Sequence, residues 1–348
     1  MKDCSPHEKW KTLTNSLVEK SVVKKIPIKM AMELTPECNL GCKMCYVRLN
    51  KEEMKKIGRL LTADEWINIA KEAADDGTLF ITITGGEPLL HPEFEKIYTE
   101  LSKMGFLIDL FTNGTLIDDS IIELFKKYPP GYISVTMYGA SEETYETVCG
   151  NGEAYNSVIN NINRIKKELP DISMTLRSTI TKQSIDDIDA MKEYAASVGE
   201  PLSICLTTLK PVRGAVRPEL DKYRLTYDEA ENTMQYYIDK FSVGEKYEVR
   251  EKIRQDKCFD CISGTASCII SWDGRMFPCL VFSYPYTKPM KTGFKSAWRE
   301  MTLLRENITV PDRCVGCKMS KYCGTCPAYI QAESGTYENN EEYNCNCI

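Results

Sequence analysis

Histidine is the scarcest residue in this chain, because the 348 residues include only His7 and His91. Neither is spaced with cysteines as zinc ligands are, which disfavours a zinc knuckle. Long apolar runs are also missing: no stretch reaches the length of a membrane span, and the N-terminus MKDCSPHEKWKTLTNSLVEK lacks the apolar segment of a signal peptide. We therefore predict a cytoplasmic protein that does not associate with membranes, whose cysteines are reduced or bound to metal.

Strong charge of one sign is absent as well. The net charge is −6 and no long basic stripe occurs, so the sequence does not predict a nucleic-acid partner. The Lys-rich first twenty-five residues are the exception, and we interpret them as a solvated lead-in. A hydrophobic content of 43% is enough to bury cores, and the length is typical of two domains.

Cysteine, by contrast, is abundant, with sixteen in the chain. Cys38, Cys42 and Cys45 stand within eight residues, and no fourth cysteine lies beside them. Thiolates are the usual ligands of four-iron clusters, so a cluster bound by these three would keep one iron open to a ligand from outside the protein. The spacing therefore predicts a reactive iron–sulfur centre.

Short apolar runs alternate with helical patterns from about residue 27 to residue 210, as in parallel βα units. Six such units predict an α/β fold, an open partial (β/α)6 barrel resembling part of a TIM barrel. The predicted strands are Lys29–Leu34, Leu79–Thr84, Leu107–Phe111, Tyr132–Met137, Ser173–Ile180 and Leu202–Leu206. The predicted helices are Ala63–Ala74, Pro92–Met104, Asp118–Lys127, Tyr155–Lys167 and Ser184–Val198, with a capping box at Thr62 and Glu65 and a weaker start signal for a short turn at Ser141.

Distinctive residues follow four of these strands. The cysteine loop follows the first strand, and Gly85 with Gly86 ends the second. Thr112-Asn113-Gly114 ends the third strand, and Thr136 ends the fourth. Because chemistry in βα barrels gathers at the carboxyl ends of the strands, these residues predict one shared site.

The spacing C-x3-C-x2-C, followed by Tyr46 and then by Gly85-Gly86-Glu87-Pro88, resembles the radical S-adenosylmethionine (SAM) enzymes. The resemblance implies that the open iron binds the amino and carboxylate groups of SAM. One electron from the reduced cluster then splits the sulfonium and gives a 5′-deoxyadenosyl radical, which takes a hydrogen atom from the substrate.

The same resemblance implies residues that bind SAM. Gly85, Gly86 and Glu87 meet its amino group, Thr136 bonds its ribose, and Arg177 pairs with its carboxylate. From the residues alone, simpler readings stay open: an ordinary strand-to-helix turn for the glycines, a β-branched strand residue at Thr136 and an interior ion pair at Arg177. We expect Glu87 to fix the turn rather than to act as an acid.

Ten of the sixteen cysteines lie between residues 258 and 347. Asp273-Gly274, flanked by Cys268–Trp272 and Arg275–Pro278, predicts a β-hairpin that ends next to Cys279. A zinc ribbon is disfavoured, because five residues between Cys317 and Cys323 are too few for two knuckles.

The pattern Cys261-x12-Gly274-x4-Cys279, followed by Cys314-x2-Cys317-x5-Cys323-x2-Cys326, resembles the SPASM domain, which carries two auxiliary four-iron clusters. One spacing departs, since two residues stand between the last pair where the family has three. The implied ligands of the first auxiliary cluster are Cys261, Cys279 and Cys326 with Cys268 or Cys258, or with an iron left open. Those of the second are Cys314, Cys317 and Cys323 with Cys345 or Cys347.

The predicted organisation is a lead-in over residues 1–26, a radical SAM partial barrel over 27–220, a linker helix region over 221–256 and a SPASM domain over 257–348. The linker region includes a predicted amphipathic helix at Leu225–Phe241, and another helix is predicted at Gly293–Leu304. The SPASM domain is expected to combine the hairpin with short helices.

The resemblance implies an enzyme that modifies a ribosomally made peptide, by forming a thioether or carbon–carbon cross-link or by epimerising a residue. A sulfatase-type protein maturase is one alternative, although Leu280 stands where those proteins carry an aspartate. Modification of a small molecule such as a sugar is another, and an iron–sulfur electron carrier is the non-enzymatic one. An epimerase needs a hydrogen donor, for which Cys205 and Cys149 are candidates.

The implied cofactors are SAM, one SAM-binding [4Fe–4S] cluster and two auxiliary [4Fe–4S] clusters. The implied partners are a precursor peptide and an electron donor such as flavodoxin or ferredoxin. About twenty-five residues before the barrel are too few for a leader-binding module, so any leader recognition is expected to use a separate leader-binding protein or the barrel itself.

Overall fold

A computed structural model describes residues 6–241, 261–317 and 326–337 of the protein. Their centre is one eight-stranded sheet, with the strand order β6-β5-β4-β3-β2-β1-β7-β8. Strands β1 to β7 run parallel to their neighbours, and β8 runs antiparallel to β7. The prediction of an α/β fold with a partial barrel is confirmed.

Each of the six predicted barrel strands is present, and each observed end lies within one residue of its prediction. Their short β-rich patterns are local signals, which is why the sequence alone located them. The strands are β1 Lys29–Glu33, β2 Phe80–Thr84, β3 Leu107–Thr112, β4 Tyr132–Thr136, β5 Ser173–Thr179 and β6 Leu202–Cys205, followed later by β7 Ser267–Ile270 and β8 Met276–Phe277.

The helices of the barrel stand where the periodicity placed them, and the capping box of Thr62 and Glu65 is formed. Ser141 was wrongly expected to begin only a short turn. Its hydroxyl accepts a hydrogen bond from the Thr144 amide, and Gly150 ends an eight-residue helix in the left-handed conformation. The helices are α1 Pro6–Lys24, α2 Lys51–Ile57, α3 Ala63–Asp75, α4 Phe94–Lys103, α5 Asp119–Lys127, α6 Glu142–Cys149, α7 Ala154–Glu168, α8 Ile188–Ser197, α9 Tyr227–Phe241, α10 Pro289–Thr292, α11 Phe294–Glu306 and α12 Pro327–Ser334.

The two faces of the sheet differ in chemistry. Apolar partners such as Ile81 with Ile108, and Val135 with Leu176, share one face and pack with helix residues in the main core. The alternate positions carry polar residues at several places, as in the pairs Thr82 with Asp109 and Thr136 with Arg177. Side chains alternate between the faces of a strand, so this second face turns away from the helix layer and lines the barrel interior.

The predicted hairpin after Cys268 is present as β7 and β8, and Gly274 occupies its turn at a φ of +83°. Strand β7 also pairs in parallel with β1, with Met30 opposite Cys268. The sheet therefore joins segments that lie more than two hundred residues apart in sequence. Among the described residues, no helix combines the length and the apolar character needed to cross a membrane.

Candidate functional site

The cysteine loop lies at the carboxyl end of β1, and backbone amides point at two of its sulfur atoms. The Sγ of Cys38 accepts from the Leu40 amide at 3.4 Å, and the Sγ of Cys45 accepts from the Arg48 amide at 3.3 Å. Hydrogen bonds to sulfur stabilise the thiolate form, which is the form that binds iron. The backbone of the loop therefore offers hydrogen bonds to the sulfur atoms of Cys38 and Cys45.

The carboxyl end of α6 holds the middle of this loop. The Gly41 amide donates to the Cys149 carbonyl at 2.7 Å, and the Lys43 amide donates to the Val148 carbonyl at 3.0 Å. A Cβ at position 41 would lie 3.2 Å from the Cys149 oxygen, so glycine allows this close approach. Two carbonyls that helix α6 leaves unpaired are thereby satisfied.

The glycine pair after β2 packs directly against the residues that lead into the cysteine loop. The Gly86 amide donates to the Thr35 carbonyl at 2.7 Å, and the Glu87 amide donates to the Glu37 carbonyl at 2.8 Å. A Cβ on Gly86 would stand 2.2 Å from the Glu37 oxygen, and one on Gly85, whose φ is +153°, would stand 2.4 Å from the Thr35 oxygen. The glycines thus position the cysteine loop through backbone contact.

Glu87 is fully buried and joins the ends of β2 and β3. Its carboxylate accepts from the Thr112 hydroxyl at 2.8 Å, from the Asn113 amide at 2.7 Å and from the Leu89 amide at 3.2 Å. Burial raises the pKa of Glu87 to about 7, while these hydrogen bonds lower it. This geometry fits a residue that fixes the turn.

Asn113 continues this connection to the cysteine loop. Its side-chain amide donates to Asn39 at 2.9 Å and lies 3.6 Å from the Cys38 sulfur. The side-chain oxygen of Asn113 accepts from the Thr115 backbone amide at 2.9 Å. The side-chain amide of Asn39 donates to the Thr115 hydroxyl at 2.8 Å. Three strand-end loops are therefore linked around Cys38, and the contributions of Asn39 and Thr115 were not foreseen.

The three thiols of the loop differ in their surroundings. Burial raises the pKa of Cys38 to about 12 and also raises that of Cys45. The pKa of Cys42 is lowered, chiefly by a hydrogen bond with the Cys149 side chain and further by one with Tyr138. Thiolates in such a buried place need positive charge beside them, which iron supplies.

The residues of this loop fit an iron–sulfur cluster. In the described parts of the chain, no three His, Cys, Asp or Glu side chains meet closely enough to hold a single metal ion. Thiolates that hold a cube bind its separate corners and do not converge on one ion. The donor set of three sulfurs with amides directed at them is the chemistry that such a cluster requires.

Thr136 and Arg177 lie side by side on the polar face, at the carboxyl ends of β4 and β5. The Arg177 guanidinium stands over the Phe111 ring at 5.2 Å, and Arg177 is exposed. Within the described residues it makes no salt bridge, so the interior ion pair that the sequence left open is not formed. Its charge remains available to an anionic ligand.

A second group of cysteines assembles from distant segments. Burial raises the pKa of Cys279 to about 11, and the nearby charges of Cys326 and Cys261 raise it further. Cys279, Cys314 and Cys326 all pack against the small apolar cluster of Phe282, Ile308, Val310 and Ala328. Cys317 is half-buried, whereas Cys258, Cys323, Cys345 and Cys347 lie outside the described residues.

Three other cysteines lie apart from this second group. Cys268 is buried in the main core with Met30 and Met276, and burial alone raises its pKa to about 12. Cys149 is fully buried next to Cys42. Cys205 is exposed at the end of β6, and its thiol lies 3.4 Å from the Thr207 carbonyl oxygen.

A buried ion pair that was not predicted stands at the carboxyl end of β1. Arg213 and Glu33 stand 2.6 Å apart, with side chains that are only 4% and 3% exposed. They are separated by 180 residues, so no local pattern connects them. An acidic residue ending a buried strand just before the cysteine loop was the available signal.

Residues 32–195 match the family model described as the radical SAM superfamily. Residues 32–195 are a radical SAM domain. The match covers every barrel strand from the end of β1 to β5 and includes the cysteine loop, the glycine pair and the α6 contact. This superfamily uses a [4Fe–4S] cluster and SAM, which are therefore the cofactors of the domain.

Three known proteins are similar to this chain over half of its length or more. The AdoMet-dependent heme synthase of Methanosarcina barkeri is 26% identical over 91% of this chain and 96% of its own length. The PqqA peptide cyclase of Granulibacter bethesdensis is 26% identical over 50% of this chain and 45% of its own length. The structure of Streptococcus suis SuiB bound to its precursor peptide SuiA is 16% identical with a TM-score of 0.70, covering 99% of this chain and 82% of SuiB.

Proposed function

We propose that this radical SAM enzyme modifies a peptide made by the ribosome, forming a thioether or carbon–carbon cross-link or epimerising a residue. Cys38, Cys42 and Cys45 hold the SAM-binding cluster in this proposal. Its main support is the geometry around Cys38. There the loops that follow β1, β2 and β3 are joined by hydrogen bonds, and Glu87 and Asn113 hold the cysteine loop in place. When bound there, the cluster and SAM supply the one-electron chemistry that removes a hydrogen atom from the substrate.

The protein's own residues bind and orient SAM. Gly85 and Gly86 present backbone next to the cysteine loop, with Glu87 holding the turn. Thr136 and Arg177 are neighbours on the polar face, so a hydroxyl for the ribose and a cation for the carboxylate are offered by adjacent strands. Bonds to a charged guanidinium are among the stronger ones, which makes Arg177 the main anchor.

The distal cysteines are proposed to hold two auxiliary clusters. Cys261, Cys279 and Cys326 are assigned to the first, because Cys326 and Cys261 are near enough to Cys279 to help raise its pKa. The position of Cys268 in the main core favours Cys258 as a further ligand, or an iron left open. Cys314, Cys317 and Cys323 are assigned to the second cluster, with Cys345 or Cys347.

The peptide class of substrate is supported by two of the relatives. One is called a peptide cyclase, and the structure of the other includes a precursor peptide. A flavodoxin or ferredoxin as electron donor and a separate leader-binding protein complete the proposal. If the modification is an epimerisation, exposed Cys205 is better placed than buried Cys149 to give a hydrogen atom to a substrate.

A second candidate is the modification of a small molecule. It is favoured by the heme synthase, which aligns with nearly the whole of this chain and is matched over 96% of its own length. Side-by-side assays distinguish the two candidates. The anaerobically reconstituted, reduced enzyme is incubated with SAM and either a co-expressed precursor peptide or a tetrapyrrole.

The products decide between them. A cross-linked peptide loses two hydrogen atoms, and an epimerised peptide keeps its mass but changes its retention, with 5′-deoxyadenosine formed in step with either. A peptide that never changes, together with a tetrapyrrole that is converted, contradicts the peptide proposal. The absence of 5′-deoxyadenosine in all assays contradicts both candidates.

A further inference from the structure

Arg213 contacts two parts of the chain that carry the two groups of cysteines. One guanidinium nitrogen donates to Glu33 at 2.6 Å, at the carboxyl end of β1. The other donates to the Leu280 carbonyl at 2.5 Å and reaches the Phe282 carbonyl at 3.5 Å. We call this set of contacts the Arg213 clasp. Glu33 lies five residues before Cys38, and Leu280 directly follows Cys279, so the clasp is next to both groups.

The backbone of Arg213 adds two further connections. Its amide donates to the Ser283 hydroxyl at 3.2 Å, and the preceding Val212 amide donates to the Tyr46 carbonyl at 2.8 Å. Tyr46 directly follows Cys45, so the segment is attached to both ends of the cysteine loop. Arg213 has a φ of +53°, a conformation that few residues other than glycine adopt. The surrounding contacts hold it in this conformation.

The contacts of the Arg213 clasp add little to the stability of the fold. Glu33 is buried and its second carboxylate oxygen has no hydrogen-bond partner among the described residues. Burial raises the pKa of Glu33, and the guanidinium of Arg213 opposes that rise. A buried ion pair with such an unsatisfied oxygen gives little net stability, although removing one partner is costly. Its geometry, a planar fork that reaches three acceptors on two segments, suits positioning.

We propose that Arg213 is a positioning residue that fixes the Cys279 loop against the carboxyl end of β1. The first auxiliary cluster then has one defined place relative to the cysteine loop of the SAM site. This inference rests on the proposed function, because it takes Cys279 as a cluster ligand. Within the described parts of the chain, Arg213 has no hydrogen bond to a thiol; it acts through the carbonyls that follow Cys279 and through Glu33.

The test isolates the auxiliary clusters. Cys38, Cys42 and Cys45 are replaced together by alanine, so that bound iron and its electron paramagnetic resonance signal arise only from the distal cysteines. Into this background go Arg213→Ala, Arg213→Lys and Glu33→Gln. Lys295→Ala is the matched control, since Lys295 pairs with Asp76 at 3.1 Å and also joins the segments before and after residue 241, away from the cysteines. The rate of iron loss to a ferrous chelator is measured, with circular dichroism as the check on folding.

We expect Arg213→Ala to release iron about tenfold faster, as is typical when a residue that supports a metal ligand is removed. Arg213→Lys and Glu33→Gln should fall between it and the unmodified background, since each keeps part of the clasp. Lys295→Ala should leave both rate and spectrum unchanged. If Arg213→Lys folds normally and matches the background in rate and spectrum, the inference is overturned while the auxiliary clusters stand. If the background binds no iron, the auxiliary-cluster proposal fails, and the inference with it.

Discussion

The two groups of cysteines are built in opposite ways. Cys38, Cys42 and Cys45 lie on one loop, and neighbouring strand ends hold that loop through Glu87, Asn113 and the carbonyls of α6. Cys261, Cys279 and Cys326 lie far apart in sequence, and only the folded chain brings Cys261 and Cys326 near Cys279. The first group is positioned by short loops around it, and the second by long-range packing.

The two groups are therefore sensitive to changes in different places. A change in the loops of the first group acts directly on the cysteine loop, because the backbone contacts there leave no room for added atoms. The second group depends on connections such as the Arg213 clasp, which lie outside its own loops. We therefore expect changes in the two groups to have separable effects on SAM cleavage and on iron content.

We expect the strongest loss at Cys42. Replacement by alanine would remove one of the three proposed cluster ligands, and the formation of 5′-deoxyadenosine from SAM by the reduced enzyme should fall to background. Chromatography of the reaction mixture measures the nucleoside. Cys268→Ala, which also removes a buried thiol, is the control and should keep cleavage; equal activity of both variants would contradict the assignment of the SAM site.

The next effect is a difference in iron content between two variants of the distal cysteines. Cys279→Ala should lower the iron content by about four per chain, one four-iron cluster, whereas Cys268→Ala should leave it unchanged because Cys268 packs in the main core. Iron and protein are quantified after anaerobic reconstitution. A loss of iron from Cys268→Ala as large as that from Cys279→Ala would show that the core position of Cys268 does not exclude a role as ligand.

A smaller effect is expected at the glycine pair. In Gly86→Ala the new methyl carbon would lie 2.2 Å from the Glu37 oxygen and 2.7 Å from the Pro36 oxygen, so backbone must move. The free energy of unfolding should fall by about 1–3 kcal/mol, as for other overpacked sites. Urea denaturation of the iron-free protein measures it. In Gly131→Ala the new methyl carbon would lie 3.6 Å from the Ile108 oxygen, an ordinary contact. This variant should change the free energy of unfolding by less than about 1 kcal/mol.

The most gradual effect is a dependence on pH at Glu87. Its pKa is raised from 4.5 to about 7 in the folded protein, so between those values the folded state binds more protons than the unfolded state. The free energy of unfolding should therefore decrease as pH rises through this range, with a slope approaching about 1.4 kcal/mol per pH unit. Glu87→Gln should remove that part of the slope. Parallel slopes for both proteins would show that Glu87 is ionised throughout the range.

The sequence was informative where structure is local. All six barrel strands and the loop of Cys38 were located, since strand patterns and cysteine spacing are written within a few residues. Helix α2 was missed although its capping box, Asn50 with Glu53, was readable in the same way as that of Thr62 and Glu65. The length of the helix after Ser141 was underestimated, although Gly150, the glycine that ends it, is also visible in the sequence.

What the sequence did not predict is non-local. The pairing of β7 with β1 depends on segments more than two hundred residues apart, and either hydrophobic strand could in principle have stood at an edge. The contact between Cys149 and Cys42 and the pair of Arg213 with Glu33 depend on the folded chain in the same way. The backbone contacts of the glycine pair with Thr35 and Glu37 were likewise not predicted.

The pairing of β7 with β1 also has a consequence for synthesis on the ribosome. Strand β1 is made more than two hundred residues before β7, so one of its edges has no partner until Ser267 has been added. Synthesis proceeds at about 5–20 residues per second, so this edge stays open for on the order of ten seconds or more. An unpaired apolar strand edge is a template for aggregation, so the nascent chain is most vulnerable during that interval.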